Sequence, residues 1–268
     1  MSPADASPLV FEVCAGSLAA LEAALAAGAA RVELCAGLSL GGLTPSLGAI
    51  RSAVARCARR ARLHVLIRPR PGDYVYSPGE VEVMEADVVL AKAAGADGVV
   101  IGALDQRARV DVATCRRLVA LARPLSVTFH RAFDATSDPL ASLAEVAALG
   151  VDRLLSSGGA ADALAGADVL AELVRRAGDE LVVMAGGGIT EANVADVVRR
   201  AKVRELHFSG RPASSGGAPS MPDRLAARLE AIMASARRGD DAERGGRVGA
   251  PLVGPAGGQD AKGPTWAS

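Results

Sequence analysis

The sequence predicts a (β/α)8 barrel, in which eight parallel strands form a closed inner sheet that helices cover on the outside. Short apolar runs such as LHVLIR and LVVMA alternate with alanine-rich helical stretches over most of the 268 residues. Near-continuous apolar runs are typical of parallel strands covered by helices. The helical stretches also end repeatedly with a glycine followed closely by the next strand, as in AAGAARVEL, AAGADGVVI and ALGVDRLLS. A doubly wound open sheet is the alternative, and it is disfavoured because CAGSLAAL rather than a GxGxxG motif follows the first strand.

Eight segments have the composition of buried strands, and helical patterns lie between them. The predicted strands span residues 9–14, 31–35, 63–68, 98–102, 125–130, 152–156, 181–185 and 204–208. The predicted helices span residues 17–27, 45–61, 80–95, 111–122, 139–149, 161–177 and 190–201. Ser17 is suited to an N-cap, and Asp138 with Pro139 combines an N-cap with the residue preferred at the first helical position.

The C-terminal part of the chain differs in composition from the barrel. Residues 210–222 are rich in glycine, serine and proline and predict a loop, while residues 223–237 predict a last amphipathic helix. Residues 238–268 contain glycine, proline and charged residues with little to bury, which predicts disorder. We therefore expect a barrel domain over residues 9–237 and a disordered tail over residues 238–268.

Composition and charge argue against several classes of function. The formal net charge is +0, and the chain has one tryptophan, two tyrosines and four phenylalanines, so neither a nucleic-acid partner nor a membrane partner is expected. No apolar run reaches the roughly 18 residues that a membrane span needs, and the N-terminal MSPADASP lacks the features of a secretory signal. The four cysteines form no CxxC pair and are expected to be the reduced thiols of a cytoplasmic protein.

Polar residues stand where several predicted strands end, which is where barrels carry their active sites. Alternate residues of a barrel strand point inward, so residues of the same parity share one face. The first two strands carry the same E-x-C pattern, in FEVC and VELC. The polar residues that share a face on their strands are Glu12, Cys14, Glu33, Cys35, His64, Arg68, Arg70, Thr128, His130, Glu205, His207 and Ser209.

The segment TFHRAFD, residues 128–134, places one of only three histidines at the end of the fifth strand. Arg131 and Asp134 follow His130 in the loop. Imidazole is the side chain best suited to move a proton near neutral pH. The alternative is a buried core histidine beside a local ion pair, and the convergence of several ionisable groups on one barrel mouth favours the functional interpretation.

The segment IRPRPGDYVYSPGE, residues 67–80, ends the third strand with Arg68 and Arg70 and continues into a turn at Asp73. A guanidinium group donates a planar pair of hydrogen bonds that suits carboxylate or phosphate. The alternative is a structural ion pair inside the barrel, for example between Arg68 and Glu33, and both interpretations are compatible in the free protein.

The segment AGGGIT, residues 185–190, follows the seventh strand with Gly186, Gly187 and Gly188. Glycines before a helix N-terminus expose backbone N–H groups, and many barrels bind phosphate after strands seven and eight. Ser209, in SGRP after the eighth strand, could complete such a site, whereas the alternative is a simple tight turn.

Cys14 and Cys35 end neighbouring strands with the same parity. Two thiolates so placed could bind a soft ion such as Cu(I). The alternative is that each is a small buried apolar side chain. Cys57 and Cys115 fall in predicted helices and have no expected role.

Several segments together resemble the CutC family, which is named for copper homeostasis. They include FEVCAGSLAALEAALAAGAARVELCAGLSLGGLTPS, VLIRPRPGDYVYSPGE, PLSVTFHRAFDATSDP and VMAGGGIT, and the resemblance runs over residues 9–212. It implies a cytosolic (β/α)8 barrel, a role in copper homeostasis, Cu(I) binding by Cys14 and Cys35, and a homo-oligomer. Family members usually have a longer segment after the eighth strand, and the short PASSGGAPSMPD of this chain departs from that pattern.

Two functions are therefore expected. The resemblance implies a copper-handling protein whose partner is a copper ion at Cys14 and Cys35. The residues at the mouth favour an enzyme that acts on a small anionic molecule by acid–base chemistry, and no organic cofactor is indicated. In the enzyme hypothesis the catalytic candidates are Glu33, His130, Arg131 and Asp134. The substrate-binding candidates are Glu12, Arg68, Arg70, Asp73, Gly186, Gly187, Gly188, His207 and Ser209.

Overall fold

The computed structural model describes residues 8–209 and 222–248, and most of the predicted loop over 210–222 and the end of the predicted tail, 249–268, lie outside the described residues. The strands are β1 (Val10–Ala15), β2 (Arg31–Leu34), β3 (Arg62–Leu66), β4 (Gly98–Ile101), β5 (Ser126–Phe129), β6 (Arg153–Ser156), β7 (Val182–Gly186) and β8 (Glu205–Phe208). All pair in parallel with their neighbours in the chain, and β8 closes the barrel against β1. This is the (β/α)8 barrel that the sequence predicts.

A helix follows each strand of the barrel. The helices are α1 (Leu18–Ala26), α2 (Leu47–Cys57), α3 (Pro78–Ala93), α4 (Val112–Ala122), α5 (Pro139–Ala148), α6 (Ala167–Ala177), α7 (Val194–Ala201) and α8 (Pro222–Val248). Two helices, α1 and α5, begin with the predicted side-chain N-caps. Ser17 accepts a hydrogen bond from the N–H of Ala20, and Asp138 accepts hydrogen bonds from the N–H groups of Leu140 and Ala141. None of the described helices combines the length and the apolar character that a membrane crossing needs.

The apolar core lies between the strands and the helices, whereas the interior of the barrel is largely polar. Phe11 and Val13 of β1, like Val32 and Leu34 of β2, belong to the apolar layer. Residues of the opposite parity turn inward, so the parity expected from the sequence holds along these strands. The buried polar residues include Glu12, Arg31, Glu33, His64, Arg68, Thr128, His130 and Glu205.

The last helix is longer than the sequence predicts, since residues 238–248 are helical rather than disordered. Asp240 is buried and pairs with Arg204, with nitrogen–oxygen distances of 2.5 and 3.0 Å. Gly239 lets the backbone of α8 approach α7, because a Cβ there would lie 2.9 Å from the Ala195 side chain. Composition did not reveal these contacts, since glycine and aspartate rarely indicate a packed helix.

Candidate functional site

A cavity of about 650 Å³ opens at the carboxyl ends of the strands. Of the residues singled out from the sequence, it is lined by Cys14, Glu33, Arg68, His130, Arg131, Gly187, Gly188, His207 and Ser209. Other predicted residues lie behind or outside this lining, and they are Glu12, Cys35, Arg70, Asp73, Asp134 and Gly186. Because most of the chemically active side chains meet here, this cavity is the candidate functional site.

Beneath the cavity, the barrel interior holds a buried ion-pair network. Arg31, which is 4% exposed, donates to Glu12 and to Glu205 and contacts the Met184 sulfur at 3.2 Å. Arg153 also donates to Glu205, at 2.9 Å. Both carboxylates are thereby paired, which is the condition under which a charge can be buried. Neither Arg31 nor Arg153 is among the residues singled out from the sequence, although strand parity would place both inside.

Glu12 also orients His207. The Nδ1 atom of His207 lies 2.7 Å from the Glu12 carboxylate. Burial acts to raise the pKa of Glu12, but Arg31 and the hydrogen bond with His207 outweigh it and hold that pKa well below its ordinary value. An ionised carboxylate only accepts hydrogen bonds, so Nδ1 carries the proton and donates it. The other ring nitrogen, Nε2, lies 3.7 Å from Glu33.

Cys14, Glu33 and His207 form a cluster at the cavity, with one ligand atom of each within 4.8 Å of the others. Burial raises the pKa of Glu33, against the lowering effect of His207. Burial acts to lower the pKa of His207, but the hydrogen bond with Glu12 and the charge of Glu33 raise it above its ordinary value. A carboxyl and an imidazole so placed form a pair that can hold or release a proton.

Cys14 and Cys35 lie side by side, with their Sγ atoms 3.6 Å apart. Both are buried, and of the two only Cys14 lines the cavity. The hydrogen bond with Cys35, burial and the charge of Glu33 raise the pKa of the Cys14 thiol well above its ordinary value. Cys14 is therefore a protonated thiol at neutral pH, and a metal that binds it has to displace that proton.

His130 is a neutral imidazole packed against the Tyr74 ring, with ring centroids 5.1 Å apart. Its Nδ1 accepts the N–H of Ala132 at 3.1 Å, which leaves the ring proton on Nε2. Within the described part of the chain, Nε2 is buried without a hydrogen-bond partner. Burial and the charge of Arg68 lower the pKa of His130 to about 3. The expected acid–base role therefore does not suit His130, whose Nε2–H is better suited to donate to a ligand oxygen.

Arg68 joins the loops that frame the cavity, and its described contacts do not include the ion pair with Glu33 that the sequence suggested. Its guanidinium donates to the carbonyl oxygens of Gly42 at 3.1 Å and Gly72 at 2.8 Å. It also lies over the Tyr74 ring, 5.0 Å from the ring centroid. These contacts already use much of the hydrogen-bond donor capacity of the guanidinium. Arg68 therefore shapes the cavity wall more than it provides donors for an anion.

Arg70 and Asp73 do not reach the cavity. Strand parity no longer applies to them, because β3 ends at Leu66. Arg70 donates to Glu80 at 2.5 Å and to Asp73 at 2.9 Å, and Glu80 belongs to the capping box that Ser77 begins. The two predicted substrate-binding residues therefore brace the start of α3 instead of facing the mouth.

Asp134 holds Arg131 in position at the edge of the cavity. Its carboxylate pairs with the Arg131 Nε at 2.7 Å and accepts the hydroxyl groups of Ser156 at 2.6 Å and Ser157 at 2.9 Å. The Nη2 of Arg131 donates to the Ser157 hydroxyl, also at 2.9 Å. These contacts leave the Nη1 of Arg131 available to a ligand, and they enable Asp134 to hold Arg131 in place.

The loop after β7 brings backbone donors to the same edge. Gly187 and Gly188 have φ angles of 104° and 63°, which other residues rarely adopt. The N–H groups of Gly187, Gly188 and Ile189 donate no hydrogen bond within residues 8–209 and 222–248. The Arg131 guanidinium lies beside them, since a Cβ on Gly187 would be 3.1 Å from its Nη1. A guanidinium and unpartnered N–H groups that converge in this way suit an anion.

The loop after β2 also lines the cavity, although the sequence analysis gave it no role. Ser39, Gly41 and Gly42 belong to the lining. Gly41 leaves room for the Arg68 guanidinium, which a Cβ would approach to 2.9 Å. The two consecutive glycines of LSLGG, a few residues after a predicted strand, resemble the glycine run of AGGGIT and could have identified this loop.

Known proteins share both the sequence and the barrel of this chain. The CutC family model matches residues 9–212. A CutC family protein of Xanthomonas axonopodis pv. citri is 48% identical over 210 residues, which cover 78% of this chain and 87% of the relative. The copper homeostasis protein cutC homolog of Mus musculus is 45% identical over 208 residues, which cover 78% of this chain and 76% of the relative.

A solved structure agrees with these relatives. The crystal structure of CutC from Streptococcus agalactiae matches with a TM-score of 0.72 at 32% identity, and the match covers 75% of this chain and 98% of that chain. The resemblance noted in the sequence is thereby confirmed. The chain belongs to the CutC family.

Proposed function

We propose that this CutC family protein is an enzyme that binds a small anionic metabolite, phosphorylated or carboxylate, at the mouth of the barrel. The observation that carries the proposal is the meeting of the Arg131 guanidinium with the N–H groups of Gly187 and Gly188 at one edge of the cavity. Proteins use backbone donors and guanidinium groups of this kind to hold phosphate and carboxylate. The cavity, of about 650 Å³, has the size of a small-molecule site.

The proposal places the acid–base chemistry on His207 and Glu33, which line the cavity 3.7 Å apart. Glu12 orients His207 from behind, as a third group orients the base in many enzymes. His130 contributes a hydrogen-bond donor instead of a base, because its buried ring is neutral. Buried charged groups stabilise a fold poorly compared with apolar residues, so this polar interior supports a chemical role.

Inorganic phosphate and small phosphorylated or carboxylate metabolites are expected to raise the melting temperature of the purified protein. A ligand that binds only the folded state stabilises it by about 2.7 kcal/mol at a concentration one hundred times its dissociation constant. For a protein of this size such a stabilisation corresponds to a shift of several degrees. Differential scanning fluorimetry in a buffer that contains a metal chelator measures the shift.

Arg131→Ala removes the guanidinium and is expected to abolish most of this shift. Arg117→Ala is the matched control, because Arg117 pairs with Glu85 at 2.8 Å on the helical surface and does not line the cavity. The control variant should keep the full shift. If no anion stabilises the wild type at millimolar concentration, or if the two variants respond equally, the proposed anion site is wrong.

The proximity of Cys14 and Cys35 favours a second candidate function, the binding of Cu(I). Their Sγ atoms lie 3.6 Å apart, and thiolates are ligands that Cu(I) prefers. The mouse relative bears the name of a copper homeostasis protein. The ion would enter through the cavity at Cys14, since Cys35 lies behind the lining.

The double variant Cys14→Ser, Cys35→Ser is expected to bind Cu(I) at least about tenfold more weakly than the wild type, because it lacks both soft ligands. Competition with a chromophoric Cu(I) chelator under anaerobic, reducing conditions measures the affinity. The double variant Cys57→Ser, Cys115→Ser changes two other buried thiols and should retain wild-type affinity. Unchanged affinity in the first variant removes Cys14 and Cys35 from any copper site.

A further inference from the structure

We infer that Cys14, Glu33 and His207 form a binding site for a divalent transition-metal cation, for which Zn²⁺ is the best match. Each residue offers one ligand atom, and these atoms lie within 4.8 Å of one another at the cavity. The inference goes beyond the proposed function and does not rest on it, because it concerns a metal centre and not the anion held at Arg131.

The spacing of the ligand atoms suits a small tetrahedral cation. Zn²⁺ binds histidine nitrogen and carboxylate oxygen at about 2.0–2.2 Å and cysteine sulfur at about 2.3 Å. Two nitrogen or oxygen ligands at these distances and at the tetrahedral angle are about 3.4 Å apart. The Nε2 of His207 and the Oε2 of Glu33 are 3.7 Å apart, so small side-chain shifts complete the geometry.

The residues behind the cluster orient His207 as a metal ligand. Its Nδ1 lies 2.7 Å from the Glu12 carboxylate, and Glu12 is itself paired with Arg31. A histidine that binds a metal commonly donates its second ring N–H to a carboxylate, which fixes the tautomer and the ring direction. The Nε2 of His207 therefore already faces Glu33 in the fold without a metal.

The mixed set of ligands selects the kind of cation. Mg²⁺ and Ca²⁺ prefer oxygen ligands throughout, whereas a thiolate, an imidazole and a carboxylate together suit a borderline ion such as Zn²⁺. Cu(I) prefers soft sulfur ligands, which would be Cys14 with Cys35 and not Cys14 with Glu33. Cys14 would thus be a ligand of either Zn²⁺ or Cu(I), whereas the remaining ligands of the two ions would differ.

Three protein ligands at the edge of a cavity leave a fourth coordination position for water or substrate. This is the arrangement of catalytic zinc sites, whereas structural zinc sites are closed by four protein ligands. With Zn²⁺ in this site, Glu33 and His207 would be ligands, and the ion would supply the acid–base chemistry by lowering the pKa of a water molecule in the fourth position. The proposed anion site at Arg131 borders the same cavity.

Titration of the reduced, metal-free protein with Zn²⁺ against a chromophoric chelator tests the site. We expect one Zn²⁺ per chain, and we expect Glu33→Gln to weaken the binding by about tenfold or more. Glu12→Gln keeps all three ligands but removes the carboxylate that orients His207, so it should weaken the binding by about 10–100-fold. Cys35→Ser is the matched control, because it removes the adjacent thiol but no ligand of this site. It should not weaken Zn²⁺ binding, since the hydrogen bond that it removes acts to keep the Cys14 thiol protonated.

Co²⁺ provides a second readout that a general loss of structure would not imitate. Charge-transfer absorption from thiolate to Co²⁺ is expected in the wild type and in Cys35→Ser, and it should be absent from Cys14→Ser. Circular dichroism of each variant verifies that it is folded. The inference is overturned if Glu33→Gln binds Zn²⁺ as tightly as the wild type does.

It is also overturned if Cys35→Ser loses Zn²⁺ affinity and the cobalt absorption as Cys14→Ser does, since the metal would then belong to the cysteine pair. Arg131→Ala should bind Zn²⁺ like the wild type. It should, however, lose the stabilisation by phosphate. Glu33→Gln should instead lose Zn²⁺ binding and keep the stabilisation by phosphate. Because the two properties are lost in different variants, failure of this inference can be told apart from failure of the proposed anion site.

Discussion

Replacing Arg31 with methionine is expected to lower the free energy of unfolding by about 3–5 kcal/mol. Arg31 is 4% exposed and donates to both Glu12 and Glu205. Methionine fills much of the same volume but carries no charge. Glu205 would keep its hydrogen bond from Arg153, whereas Glu12 would lose the cation that compensates its burial. Most of the loss should therefore come from the carboxylate of Glu12.

Arg62 provides the matched control, because it pairs with Arg31 in the register between β2 and β3. Its side chain is 76% exposed and contacts Asp97 at 2.8 Å. An exposed pair of this kind contributes little, so Arg62→Met should lower stability by less than about 1 kcal/mol. Urea unfolding followed by circular dichroism measures both variants.

A second substitution shows whether the lost stability comes from a buried charge. Glu12→Gln in the Arg31→Met background removes the carboxylate that has lost its arginine, so the double variant should be more stable than Arg31→Met alone. If the double variant is no more stable, or if Arg31→Met and Arg62→Met lose equal stability, then the buried network does not act through the charge of Glu12.

The barrel could be predicted from the sequence because its signals are local. Apolar strands and helix stops at glycine depend on residues close in the chain, and each βα unit repeats them. Strand parity is local as well, which is why Glu33 and His207 could be placed at the mouth. The same rule covers Arg31, whose inward direction follows from its position two residues before Glu33.

Loop directions could not be predicted, because partners distant in the sequence set them. Arg70 was expected on the face of Arg68, but β3 ends at Leu66 and Arg70 turns to Glu80. Likewise, the proposed anion site depends on contact between the loop of Arg131 and the loop after β7. The sequence indicated an anion-binding role for the loop after β7 and a catalytic role for Arg131, and only the fold shows that these two segments meet.

Protonation states depend even more on the fold. Burial lowers the pKa of His64 to about 4 and that of His130 to about 3. His207 is also buried, yet Glu12 and Glu33 reverse the effect of burial and raise its pKa. The three residues are chemically identical in the sequence, so the difference arises from the hydrogen bonds and charges that the barrel places beside each ring.

Acidification is expected to lower the stability of the fold through His130. In the unfolded chain the imidazole takes up a proton below about pH 6.5, whereas in the folded protein its pKa is lowered to about 3. The folded state therefore binds fewer protons, and the contribution of His130 is present in full above pH 6.5 and is lost as the pH falls from there toward 3. At about 1.4 kcal/mol per pH unit, the loss reaches about 3 kcal/mol at pH 4.

The variant His130→Gln separates this effect from that of the other titrating groups, because it removes the ring and leaves them in place. Wild type should exceed the variant in stability near neutral pH, and this difference should shrink by about 3 kcal/mol between about pH 7 and about pH 4. Leu170→Ala, a change at a buried residue of α6, removes packing but no proton site, so its effect should be the same at both pH values. Urea unfolding across this range measures both differences. A difference for His130→Gln that stays constant with pH would mean that the folded ring titrates as it does in the unfolded chain, and the neutral donor assigned to Nε2 would then have no basis.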